Sequence, residues 1–205
     1  MKIKQIRVGS DNFCYIVYSE KQKFAAVIDP GFEPDRSINF IKSNNLILSY
    51  IILTHYHSDH SFGLKNIKNQ YPKAKIISSK ADGEKLNEEI DIFINDKDKL
   101  KLGEIDLEFI LTPGHTLGGI CIIVDNRAIF TGDTLFIGDC GRTDLPGGNI
   151  HVMYNTLKNK INSLSDSLIV YPGHDYGDKP FDSLGNQKKV NKTLNVKNFD
   201  DFLKI

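Results

Sequence analysis

Four segments of this chain share one arrangement: an apolar, strand-like run ends in a loop that carries histidine or aspartate. Leu53 leads into Thr54-His55-Tyr56-His57-Ser58-Asp59-His60, and Leu111 into Thr112-Pro113-Gly114-His115. Phe130 leads into Thr131-Gly132-Asp133, and Tyr171 into Pro172-Gly173-His174. Five of the six histidines lie at these points. Strand ends converge at one rim of a sheet, the place where α/β folds put their chemistry. The pattern therefore requires a topology that brings these four loops to a common edge.

The remaining periodicities supply such a topology. Met1 to Arg7, Phe13 to Tyr18 and Phe24 to Ile28 read as three closely spaced strands, the last ending in the turn signal Asp29-Pro30-Gly31. Pro34 begins a helix predicted through about Asn44, and Ser49 to Thr54 reads as a strand buried on both faces. A short helix over Gly63 to Gln70, a strand at Ala74 to Ser78 and a period-two run within Leu100 to Leu111 follow. Gly119 to Val124, Ala128 to Thr131 and Ser167 to Tyr171 are further strand candidates. Between them, Asn149 caps a predicted helix with Ile150, Met153, Leu157, Ile161 and Leu164 on one face. A meander followed by strand-helix units occurs twice, which predicts two packed sheets with helices outside, in one domain over residues 1–205.

Composition narrows the function classes. With 26 basic and 26 acidic residues, and no dense basic block interleaved with aromatics, nothing favours a nucleic-acid partner. No apolar run approaches the roughly 18 residues that would cross a bilayer, and the N-terminus reads as a strand rather than a leader. Cys14, Cys121 and Cys140 are odd in number and widely spaced, which fits free thiols in a reducing cytoplasm. The assembly is left open, a homodimer included.

The histidine cluster has a mechanical reading. Residues two apart in extended chain point the same way, so His55 and His57 can grip one ion. Asp59 and His60, as the chain turns into the next helix, can face the other side. His115 can complete the first half-site and His174 the second, with the Asp133 carboxylate between them. Imidazole and carboxylate without thiolate suit zinc, iron or manganese and leave positions for water. Two such ions roughly 3.5 Å apart generate hydroxide near neutral pH and polarise a carbonyl, which is hydrolytic machinery. Asp29 is a candidate buttress for the metal loops. His151 reads as an exposed residue with no particular partner, and Cys140 as small-residue packing beside Gly138 and Gly141.

Taken together, the ordered set Asp29-Pro30-Gly31, His55-x-His57-x-Asp59-His60, His115, Asp133 and His174 resembles the metallo-β-lactamase superfamily. The resemblance implies an α+β fold, the four-layer αββα sandwich. It implies that His55, His57 and His115 hold the first metal, Asp59, His60 and His174 the second, and that Asp133 bridges, with Asp59 and Asp133 as catalytic carboxylates. Thr131-Gly-Asp-Thr-Leu-Phe-Ile137 resembles both glyoxalase II and the persulfide dioxygenases, and Cys140-Gly-Arg-Thr-Asp144 looks like the dioxygenases and short bacterial or archaeal hydrolases of that branch. That branch implies hydrolysis of a small acyl-thiol by a metal-bridging hydroxide, with two divalent ions, zinc foremost. Its alternative is a persulfide dioxygenase with a single Fe(II) on His55, His115 and Asp133. Arg142 is a candidate for a substrate carboxylate, or for a loop-fixing pair with Asp144.

Overall fold

In the computed structural model, which describes residues 1–205, the three opening runs form an antiparallel meander. These are β1 (Lys2–Val8), β2 (Asn12–Tyr18) and β3 (Phe24–Ile28). Helix α1 (Pro34–Ser43), entered through a proline that needs no N–H there, leads to β4 (Ile47–Ile52) parallel to β3. Two short helices, α2 (Ser58–Ser61) and α3 (Leu64–Gln70), precede β5 (Lys75–Ser79). The single turn α4 (Lys80–Gly83) and β6 (Ile92–Ile94) complete the first sheet in the order β1-β2-β3-β4-β5-β6.

The second sheet begins with an antiparallel run, β7 (Lys99–Leu102), β8 (Ile105–Leu111), β9 (Ile120–Val124) and β10 (Ala128–Gly132). Helix α5 (Ile150–Asn155) returns the chain to β11 (Ile169–Pro172), parallel to β10, and β12 (Asp182–Ser183) closes the edge. Helices α6 (Leu184–Val190) and α7 (Phe199–Phe202) end the chain.

Period-two alternation sorts the side chains into layers. On β2, Phe13, Tyr15 and Val17 join a cluster of 17 buried residues between the sheets, where they meet Leu107, Phe109, Ile122 and Phe130 of the second sheet. Their neighbours Cys14 and Ile16 face outward into a second cluster with Ile38 and Ile41 of α1 and Leu64 and Ile67 of α3. On the far side, Cys121, Ile123, Ile129 and Val170 pack beneath Met153, Leu157, Leu184 and Phe202. Three interfaces make four layers, the αββα sandwich. Burying each such side chain contributes about 1.5–3 kcal/mol.

Some local expectations needed correction. The predicted helix to Leu164 is helical only to Asn155; it then widens into a π segment, Thr156–Lys160, and a 3₁₀ turn, Ile161–Ser163. The wider winding keeps Met153, Leu157 and Ile161, each four apart, on the buried face, and Thr156 Oγ1 donates to the Pro113 carbonyl at 2.6 Å. The run Leu100 to Leu111 is a hairpin, because Gly103 takes φ +61° and turns β7 back on β8.

The two sheets touch at one rim through main-chain bonds. Ile120 N–H donates to Thr54 O at 2.9 Å, Phe13 N–H to Gly173 O at 2.8 Å and Asp175 N–H to Asp11 O at 2.7 Å. The Tyr15 hydroxyl, fully buried, reaches across to Pro172 O at 2.5 Å. That stitching brings the ends of β4, β8, β10 and β11 together.

Candidate metal centre

All seven expected side chains meet at this rim. His55 and His57 leave β4, and Asp59 and His60 occupy α2. His115 follows β8, Asp133 follows β10 and His174 follows β11. Donor atoms of His55, His57 and His115 lie within 4.8 Å of one another, as do those of Asp59, His60 and His174. Asp133 lies between the trios: Oδ2 is 3.5 Å from His115 Nε2 and 3.3 Å from His174 Nε2, and Oδ1 is 3.3 Å from His60 Nε2. Gly173 packs so closely on Asp133 and His60 that a Cβ there would strike both.

The outer hydrogen bonds assign the ring tautomers. His60 Nδ1 faces Asp29 Oδ2 at 3.0 Å, His174 Nδ1 faces Asp11 Oδ1 at 3.2 Å, and His115 Nδ1 faces the Arg142 carbonyl at 2.7 Å. Carboxylate and carbonyl oxygens only accept, so each Nδ1 carries the hydrogen. Thr54 Oγ1 donates to Asp29 Oδ2 at 2.6 Å and is left to accept from His55 Nδ1 at 3.1 Å. Four rings thus have Nδ1 engaged outside and turn Nε2 inward.

The inward nitrogens crowd together, as the donors of a cation site do. His60 Nε2 and His174 Nε2 stand 3.2 Å apart, and His115 Nε2 stands 2.9 Å from His57 Nδ1. Buried His55 Nε2 makes no hydrogen bond, a cost of about 1–3 kcal/mol if nothing else engages it. Imidazole and carboxylate donors without thiolate match a zinc-, iron- or manganese-type ion.

Electrostatics differ between the halves. Burial holds His55 well below the usual histidine range, and burial with the neighbouring His115 brings His57 to about 4. Both rings are therefore neutral at physiological pH. Burial opposes a charge on His174 too, yet its bonds to Asp133 and Asp59 raise it to about 9. His60 is also raised, since Asp133, Asp29 and Asp59 outweigh its burial. Burial pushes Asp59 and Asp133 upward, but hydrogen bonds from His174 and His60, and the His60 charge, hold both below the carboxylate range. An ion bound on the second half would compete with protons there.

Supporting residues came only partly from the sequence. Asp29, with φ +52°, holds Thr54 N–H at 2.7 Å, the Thr54 hydroxyl and His60, as its turn position suggested. Asn12, which holds Asp59 Oδ2 at 2.8 Å, and Asp11 carry no local signal, because their partners lie 47 and 163 residues away. His151 stays exposed but stacks on Phe199, centroids 4.2 Å apart, so it does have a partner. Cys140 is partly buried with its thiol pushed up to about 12 by burial, in keeping with a packing role.

A cleft of about 920 Å³ opens over the centre, bounded by His57, Asp59, Phe136, Leu145, Tyr176 and Lys192. The Tyr176 ring stacks on His174 at 4.7 Å. Arg142 stands at the mouth, its guanidinium forked onto both Asp144 oxygens at 2.7 Å while its carbonyl orients His115.

Comparison with known proteins agrees with this arrangement. Hydroxyacylglutathione hydrolase of Pelagibacter ubique is 35% identical over 206 residues, covering 99% of this chain and 84% of that protein. The mitochondrial persulfide dioxygenase ETHE1 of Homo sapiens is 31% identical over 198 residues, covering 96% and 76%. The crystal structure of ETHE1 from Myxococcus xanthus superposes with a TM-score of 0.88 at 27% identity, over 100% of this chain and 89% of that one. The family model described as the metallo-beta-lactamase superfamily matches residues 8–174, a span that holds all seven convergent side chains. By that match and by its four-layer fold, the protein belongs to the metallo-β-lactamase superfamily.

Proposed function

We propose that the protein is a binuclear metal-dependent hydrolase of small thioesters, of the hydroxyacylglutathione type or a related acyl-thiol. The observation that carries this reading is the convergence of two donor trios on one carboxylate, with four Nε2 atoms turned inward. His55, His57 and His115 would hold one ion, Asp59, His60 and His174 the other, and Asp133 would bridge. Zinc suits this donor set best, with iron or manganese compatible. Bound divalent ions supply water acidic enough to ionise near neutrality and a Lewis acid for a carbonyl oxygen.

The chain's own residues do the rest. The Arg142 carbonyl and Asp11 fix His115 and His174, and Asn12 holds Asp59 Oδ2 beside the His60 and His174 rings. Asp59 and Asp133 stay ionised and accept hydrogen bonds at their oxygens. A thiol leaves as thiolate without a strong acid, since its pKa is only about 8.5. Arg142, which lines the cleft, would meet a substrate carboxylate in exchange for its Asp144 pair. Three unpaired cysteines suit a reducing cytoplasm.

A second reading has its own support in the similarity to persulfide dioxygenase: a single Fe(II) on His55, His115 and Asp133, with three positions open to substrate and oxygen. Metal analysis of protein purified without added metal, run beside thioester-hydrolysis and oxygen-uptake assays, separates the two. About two ions per chain with hydrolysis supports the first; one iron with oxygen consumption replaces it with the second.

A further inference from the structure

We infer that Asp82 is a positioning residue for the first trio, clamping the two loops that carry His55, His57 and His115. The inference rests on reading those histidines as ligands. Asp82 sits in the single turn α4 beyond the end of β5, wholly buried, in a segment without any histidine or cysteine. Its Oδ2 accepts from the Thr116 hydroxyl at 2.6 Å and from Tyr56 N–H at 3.3 Å, and its Oδ1 accepts from Gly118 N–H at 2.8 Å. Tyr56 lies between His55 and His57, and Thr116 directly follows His115. One carboxylate therefore ties a loop of the first sheet to a loop of the second, at the residues flanking all three ligands.

Details of the contact favour a clamp over simple filling. Two of the three donors are backbone N–H groups, which can only donate, so both oxygens must accept and an amide cannot replace the carboxylate. A Cβ at Gly118 would lie 2.6 Å from Asp82 N and 2.7 Å from Oδ1, so the close approach demands glycine. Burying a carboxylate is costly where an apolar side chain would fill the same space. His57 depends on the clamp most: it is half-buried, and its ring's only hydrogen-bond partner is His115. Its position is set by the main chain at Tyr56.

The test uses Co(II) as the probe, titrated into metal-free wild type, Asp82→Asn and Thr116→Val, with ions bound, affinities and visible absorption recorded. Circular dichroism of the metal-free chains reports folding. The expected result for Asp82→Asn is a 10–100-fold loss of affinity at one site with an altered cobalt band, the usual effect of removing an outer partner. Any second site should stay close to wild type, and the melting temperature of the metal-free chain should fall only by the few degrees expected for one unpaired buried N–H. Thr116→Val, which removes one of the three bonds, should shift the same site less. If Asp82→Asn fails to fold, Thr116→Val decides alone. Folded variants with wild-type affinity and spectrum overturn the inference, as does equal weakening of every site together with a lower melting temperature. Wild type that binds no cobalt overturns instead the metal reading beneath it.

Discussion

Replacing Asp29 by asparagine should weaken metal binding while leaving the fold nearly intact. Asn accepts a positive φ about as readily as Asp, so the turn at φ +52° carries no new strain. The amide oxygen can still accept from Thr54 N–H, now 2.7 Å away. Its NH₂ must then take the place of Oδ2, facing Thr54 Oγ1 and His60 Nδ1. A donor there reverses both relays: His60 Nδ1 becomes an acceptor, and the Thr54 hydroxyl turns its hydrogen toward His55 Nδ1. Both rings would move their hydrogens to Nε2, the atoms that should ligate. Loss of an outer carboxylate typically lowers metal affinity about 10–100-fold, or roughly 1.4–2.7 kcal/mol per site. Folding stability should fall by only about 1 kcal/mol, the scale of one exchanged hydrogen bond. Chelator competition on metal-free protein measures the affinities, and urea unfolding the stability. A folded variant that binds as tightly as wild type would refute the tautomer argument.

Three further outcomes are expected. Gly141→Ala places a Cβ against the Asp133 carbonyl and the His115 ring, so it should destabilise by about 1–3 kcal/mol and reduce the metal bound per chain, as read by thermal melts and metal analysis. Arg142→Ala should raise KM for an acidic thioester but not for a neutral one, with no change in melting temperature, because its Asp144 pair is exposed; equal KM effects on both substrates would assign it to the loop alone. Burial raises Cys14 to about 12, Cys121 to about 11 and Cys140 to about 12, from an ordinary 9. Between those values the folded chain keeps thiol protons that the unfolded chain has lost, so stability should decline as pH rises above 9. Alkylation of the native protein should be slow below that pH and speed up on unfolding, and rapid native labelling at neutral pH would contradict it.

Much of the fold was legible because its strands obey local rules. Alternation in Phe13 to Val17 and Ile105 to Phe109 marks the faces that meet between the sheets, and Pro34 and Asn149 mark where helices begin. The π segment after Asn155 was not legible, since four-residue spacing suits either winding and contact with Pro113 accompanies the wider one. β6, α4, α6 and α7 were missed for a related reason: they are short and held by what they pack against.

The same division runs through the site. By itself the sequence determined which side chains would gather: five histidines and two aspartates stand at four strand ends, and strand ends of packed sheets meet at a rim. Only the tertiary structure decided how those residues are prepared. Asp11, Asn12, Asp29 and Asp82 reach their partners across 25 to 163 residues of chain, and no local pattern encodes a contact over such separations. Which ring nitrogen carries a hydrogen, and whether a carboxylate clamps two loops, follows from where the two sheets bring those side chains together in space.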